Sequence, residues 1–285
     1  AKDIALYRAR KLAWSDIDAG IVVHGPPGTG KTTFARALAA TARIPLIATT
    51  YAEWSQAGEY VHDVITAIKA TFALARKHAP CVVAIDELDS LPSRSVLKTE
   101  KSIGTHMIVN ALLAELDGLN ARIGIVIVAT CNHPDKLDPA LVRPGRLGRS
   151  IRIGLPGLDA IPQILAYHIG KDRARITNPA GIAILCLGMS GAEIEQVVRE
   201  ARQAMRRAGA SELTDQFLLN ILEARAARLS PAEQWVIAVH EAGHAIAAHD
   251  LMQDKTITLS ILPNAGGLGQ CVRTQRQGPV TRATI

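Results

Sequence analysis

Residues 21–33 read "IVVHGPPGTGKTT". Ile21 to His24 form a short strand candidate. Behind it, Gly25, Pro26, Pro27, Gly28, Thr29, Gly30, Lys31, Thr32 and Thr33 fit G-x-x-x-x-G-K-[ST] and lead into a helical pattern. That strand–loop–helix context is what the motif requires. Its glycines let the backbone wrap around an anion, and successive N–H groups converge at a helix N-terminus. In this pattern Lys31 reaches the β- and γ-phosphates, and the Thr32 hydroxyl ligates magnesium. The expected ligands are therefore ATP or ADP and Mg2+. A Gly-rich strand-to-helix turn without a ligand would not need the whole pattern.

Working outward, similar apolar runs recur at 46–49 ("LIAT"), 81–85 ("CVVAI"), 123–130 ("IGIVIVAT") and 150–155 ("SIRIGL"). Runs apolar on both faces suit strands of a buried parallel sheet, and the segments between them are long enough for helical crossovers. The fold class is α/β. After residue 155 the pattern becomes helical only, at 161–169, 181–187, 191–208 and 215–228. "LSPAEQW" (229–235) then opens a further helix, with Ser230 as cap and Pro231 in the first turn. The expected domains are 1–155, a large α/β domain; 156–228, a small all-helical domain; and 229–285, an incomplete α+β/α domain.

The run "CVVAIDE" leaves Asp86 and Glu87 at the C-terminal end of a strand, where open α/β sheets bind ligands. Asp86 is the natural partner of a magnesium ion on Thr32, and Glu87 can polarise an attacking water. Asn132 ends the fourth strand candidate and could orient that water, or could form an Asx turn before His133-Pro134. Arg143, Arg146 and Arg149 crowd one turn-rich segment, and arginine stabilises spread phosphoryl charge.

The segment "VHEAGHAIAAH" (239–249) carries a different chemistry. His240 and His244 are four apart, so they lie about 40° apart on one helical face and can converge on one ion. Glu241 beside them is placed to deprotonate a zinc-bound water. A catalytic zinc site takes three protein ligands. His249, Asp250 and Asp254 are poorly placed to supply the third.

Composition narrows the alternatives. The chain has 285 residues, 48% hydrophobic and only 4% aromatic, so it can bury a sizeable core. Its net charge of +6 resides largely in helical stretches such as 199–207, which read as solvated faces. A nucleic-acid motor is disfavoured because no basic stretch is interleaved with aromatics. The four cysteines have no CxxC spacing, as expected of free thiols in a reducing compartment. No run reaches the ~18 apolar residues of a membrane span. The absence of an initial methionine points to a fragment, so any anchor would lie outside it. The expected place is the cytoplasm, or the cytoplasmic face of a membrane.

Together, "GPPGTGKT", "APCVVAIDELD", "ATCNHPDKLDPALVRPGRLGRSIRIGLPG" and "GMSGAEIEQVVREA" resemble the AAA ATPases. "VHEAGHAI" narrows the resemblance to the FtsH-like ATP-dependent zinc metalloproteases, from about Gly20 to the end. The resemblance implies a P-loop AAA module with a helical lid, followed by the start of a zinc-peptidase domain. It makes Arg146 and Arg149 paired arginine fingers acting on a neighbour's nucleotide, hence a homo-oligomer, in this family a hexameric ring. Asn132 matches a γ-phosphate sensor, His168 a residue near adenine and ribose, and Gly191 and Ala192 the start of the lid helix. Tyr60 and Val61 match a pore loop gripping unfolded polypeptide, with His62 where Gly is usual. Leu119, Leu147 and Gly148 also depart from the usual residues. The third zinc ligand would be an acidic residue beyond Ile285, so this stretch should bind zinc weakly or not at all. The expected function is ATP-driven protein unfolding coupled to zinc proteolysis. The alternative is a non-proteolytic AAA remodeller with a decayed HEAGH segment.

Overall fold

A computed structural model describes residues 1–91, 94, 101–117, 122–226, 230–252, 257–260 and 270–273. The chain divides into two compact units, 1–154 and 155–285. In the first, helix α1 (Lys2–Arg8) precedes strand β1 (Gly20–His24), α2 (Lys31–Ala42) and β2 (Leu46–Thr50). Two helices follow, α3 (Tyr51–Ser55) and α4 (Val61–Lys77), before β3 (Cys81–Asp86), α5 (Lys101–Asp117), β4 (Ile125–Cys131) and β5 (Arg149–Arg152).

The five strands form one sheet in the order β2-β3-β4-β1-β5, and all neighbours are parallel. The strands carry β-branched residues, which fit a pleated surface packed on both faces. Alternation along β3 divides them. Val83 and Ile85 pack with Ile68 and Phe72 of α4 and Leu112 and Leu116 of α5. Val82 and Ala84 face the other way, toward Ala35 and Ala39 of α2. In α4 the buried positions Val64, Ile68, Phe72 and Ala75 recur at helical spacing. Phe72 is fully buried, and truncating such a side chain to Ala costs about 3–5 kcal/mol.

Because every strand runs the same way, the loops after β1, β3 and β4 emerge at one edge of the sheet. The loops before β1, β4 and β5 emerge at the opposite edge. That polarity separates two groups of functional side chains.

The second unit contains α6 (Ile161–Ile169), α7 (Pro179–Leu185), α8 (Gly191–Arg207) and α9 (Asp215–Ala226). Their apolar faces share one core built on Leu165, Ile182, Ile194, Val198, Leu218 and Leu222. Ser190 and Glu193 form a reciprocal capping box at the start of α8, at 3.3 and 2.7 Å. Helix α10 (Pro231–Met252) packs with the antiparallel pair β6 (Ile257–Ser260) and β7 (Gln270–Arg273). The expected boundary at 228/229, and the segment with Leu119, lie outside the described residues. No helix among the described residues is long and apolar enough to cross a membrane.

Candidate nucleotide site and zinc-ligand helix

The turn between β1 and α2 has the backbone its glycines allow. Gly25 has φ +150°, and a Cβ there would lie 1.9 Å from the Ile153 carbonyl oxygen. No side chain fits. Gly30 caps α2 at φ 96°, in the left-handed region. Lys31 is only 8% exposed. Its Nζ donates to the carbonyl oxygens of Gly25, at 2.9 Å, and Pro26, at 2.7 Å. Burial pushes its pKa down, opposed by nearby Asp86, Asp89 and Glu87 among others. A buried ammonium within a Gly-rich helix N-terminus is matched to an anionic ligand. Thr29 donates to the Pro26 carbonyl at 2.9 Å and tightens the turn.

The acidic end of β3 meets this loop. Thr32 Oγ1 donates to Asp86 Oδ2 at 2.8 Å. The other Asp86 oxygen accepts from Thr130 Oγ1, and the Glu87 N–H donates to that same hydroxyl at 3.1 Å. Glu87 is exposed and held at φ 53°, ψ 47°. A non-glycine residue there stores about 1–3 kcal/mol and is found where surroundings enforce it. Asp89 Oδ2 accepts from the N–H groups of Asn132, at 3.0 Å, and His133, at 2.9 Å. These bonds set Asn132 at the wall of a cavity of about 460 Å³, shared with Pro26, His133 and Arg152. Lys31, Thr32, Asp86, Glu87 and Asn132 are thus brought together at one sheet edge.

Arg146 and Arg149 are brought together at the opposite edge. With Trp14, Asp18 and Arg122 they line a cavity of about 720 Å³. Arg146 forks onto Asp117, with Nη2 to Oδ2 at 2.6 Å, and Nη1 donates to the Ala140 carbonyl at 2.6 Å. The guanidinium holds Asp117 below the usual carboxylate range. Arg149 is exposed on β5.

Tyr60 caps the start of α4 and is 68% exposed. Val61 turns inward against the core. The outward neighbour is His62, whose ring stacks on Tyr60 at 6.0 Å and 21°. His62 Nε2 also lies 3.0 Å from Asp63 Oδ1.

His168 lies on α6, edge-on to Tyr167 at 5.1 Å. Gly191 and Ala192 form the first turn of α8. On α10, His240 Nε2 and His244 Nε2 approach to 3.1 Å. Two nitrogens at tetrahedral zinc distances would lie about 3.3 Å apart, so the pair fits that ion. Glu241, 8% exposed, lies beside them. Among the described residues no group of three metal-ligating side chains forms.

A P-loop turn, an acidic strand end and an all-parallel sheet define the first unit as a P-loop ATPase of the AAA type. Residues 21–155 match the family described as "ATPase family associated with various cellular activities (AAA)". The matched stretch is an AAA ATPase domain, and the chain is similar to FtsH proteins over most of its length. It is 36% identical, over 98% of its length, to ATP-dependent zinc metalloprotease FtsH 2 of Sphaerobacter thermophilus, covering 44% of that protein. It is 38% identical to FtsH 2 of Bdellovibrio bacteriovorus, over 88% of this chain and 42% of that one. It is 36% identical to FtsH of Thermus thermophilus, over 89% and 42%. The chain thus spans less than half the length of these relatives.

Thr130, Asp89, Asp117, Arg122 and Arg152 join these sites although sequence reasoning passed over them. A threonine ending an apolar strand beside an acidic one was a usable signal for Thr130. The others depend on contacts between distant segments.

Proposed function

We propose that this chain provides the ATP-hydrolysing motor of an ATP-dependent zinc protease. The reading rests above all on the Thr32–Asp86 hydrogen bond of 2.8 Å, which joins the phosphate-binding helix to the acidic strand end. The P-loop backbone and Lys31 hold the nucleotide's phosphates, and Thr32 and Asp86 hold magnesium. Magnesium, when bound, neutralises charge on the transferring phosphoryl group. Glu87 accepts a proton from the attacking water, and Asn132 orients that water. Gly191, Ala192 and His168 contribute to nucleotide binding, as the AAA resemblance implies.

Arg146 and Arg149 act in trans, in a homo-oligomeric, hexameric ring. The sheet's polarity supports this: five-residue β1 alone puts about 16 Å between its two edges. A chain's own arginines therefore do not face its own phosphates. The Tyr60 loop grips unfolded polypeptide and passes it toward α10. There His240 and His244 hold zinc with a third ligand from elsewhere, and Glu241 serves as general base. Zinc, when bound, lowers the pKa of its water to about 7. Cys81, Cys131 and Cys186 are buried free thiols, which suits a cytoplasmic setting.

Proteolysis by the full-length protein tests this reading. Casein cleavage is expected to need ATP, to disappear in Glu241→Gln with zinc retained, and to disappear in His244→Ala with zinc lost. Cleavage that persists in Glu241→Gln would refute the assignment of the base.

A further inference from the structure

We propose that Arg122 is a positioning residue for Arg146, the arginine that acts on the neighbouring subunit. The inference rests on the trans reading above and deepens it. Arg122 stands just before β4 and is 7% exposed. Its Nη1 donates to two backbone carbonyls, those of Leu116 and Gly145, the latter at 3.0 Å. Leu116 immediately precedes Asp117, and Gly145 immediately precedes Arg146. One guanidinium therefore ties together the two residues that lead into the Asp117–Arg146 pair.

The turn needs such a tie. Gly145 adopts φ 85°, a conformation with little intrinsic preference in a flexible residue. Around it Val142, Arg143, Pro144 and Gly148 are exposed, Arg146 is half-buried and Leu147 is buried. The Arg146 fork onto Asp117 fixes the side chain only if the two backbones keep their spacing. Arg122 supplies that spacing from a buried, planar donor group, which loses little freedom on bonding. Its Nε is buried with no hydrogen-bond partner among the described residues. Burying a guanidinium that is only partly satisfied is costly. Arg122 also lines the same 720 Å³ cavity as Arg146 and Arg149. Its Nη1 is engaged by the two backbone carbonyls, so it acts through them and not as a third finger.

The test uses full-length protein in mixed rings. Lys31→Ala subunits cannot turn over ATP but can donate a finger, while Arg146→Ala subunits can turn over ATP but lack one. Mixing the two should restore hydrolysis. Adding Arg122→Met to the donor should lower the restored kcat by about 10- to 100-fold, with KM for ATP unchanged, as misplacing a catalytic group does. An Arg122→Met subunit beside normal donors should still hydrolyse ATP, since its own P-loop lies at the other edge. Arg122→Lys, a shorter point charge, should cost the donor about 3-fold and keep the fold if the methionine variant does not. Both variants donating as well as Lys31→Ala would overturn the proposal. So would a loss confined to the variant's own hydrolysis. Failure of Lys31→Ala itself to rescue Arg146→Ala would remove the trans reading, and this inference with it.

Discussion

Thr130→Val replaces a hydroxyl with a methyl of nearly the same shape, so its effects report hydrogen bonds and not packing. Thr130 is 2% exposed. Its hydroxyl donates to Asp86 and accepts from the Glu87 N–H. Asp86 keeps Thr32 as a donor, so the lost charge-assisted bond falls at the low end, about 1.5 kcal/mol. Glu87 is exposed, so water can reach its freed N–H, and that loss is about 1 kcal/mol. The variant should therefore be destabilised by about 2–3 kcal/mol. Activity should suffer separately. The left-handed conformation of Glu87 costs about 1–3 kcal/mol, and the Thr130 bond helps to hold it. Releasing about 1.4 kcal/mol of that restraint makes the productive geometry about tenfold rarer, and kcat falls in proportion. The assay is steady-state ATP turnover alongside urea unfolding, with Thr130→Ser, which keeps the hydroxyl, as control. The serine variant should retain most activity. A valine variant that loses stability yet keeps full kcat would refute the claim that this bond positions Glu87.

Other perturbations test separate parts of the site. Gly25→Ala should destabilise the first unit by about 2–4 kcal/mol and abolish nucleotide binding, because its Cβ meets the Ile153 carbonyl just after β5; a melting curve and a fluorescent-ATP titration read both. Asp138 is bound by the Arg94 fork at 2.7 and 2.9 Å, which holds its pKa at about 2 against an ordinary 3.8. Its folded pKa is depressed, so its contribution of roughly 2–3 kcal/mol is complete above pH about 4 and is lost as pH falls toward 2. Unfolding of Asp138→Asn against the native protein should show that gap at pH 7 and a narrowing gap below pH 4. Where Tyr60 and His62 face outward and Val61 inward, His62→Cys should cross-link to an unfolded substrate bearing one cysteine-reactive group, and Val61→Cys should not.

Much of the nucleotide site was legible because its signals are local. The Gly25–Thr33 motif dictates a backbone path wherever it follows a strand. The apolar runs at 46–49 and 81–85 fall inside β2 and β3; burial on both faces of β3 leaves no polar alternation to misread. The helix over 161–169 matches α6 residue for residue. The helix expected at 181–187 instead begins at Pro179, because Asn178 accepts from the Gly181 N–H at 2.9 Å and Pro179 fits the first turn. Contacts made across the sheet were not legible. Thr130 and Glu87 are 43 positions apart, and only parallel pairing of β3 and β4 makes them neighbours. Arg122 gave no signal either, since its acceptors are backbone carbonyls, which leave no trace in side-chain pattern. Strand β7 could not be read from alternation, because its four residues carry too little periodicity.

ATP turnover by the full-length Glu87→Gln protein tests the central claim most directly. The amide keeps the size and exposure of the side chain but cannot take a proton from water. The account predicts ATP binding close to that of the unmodified protein and turnover reduced by about 10²–10⁴-fold. Turnover at the unmodified rate would contradict it.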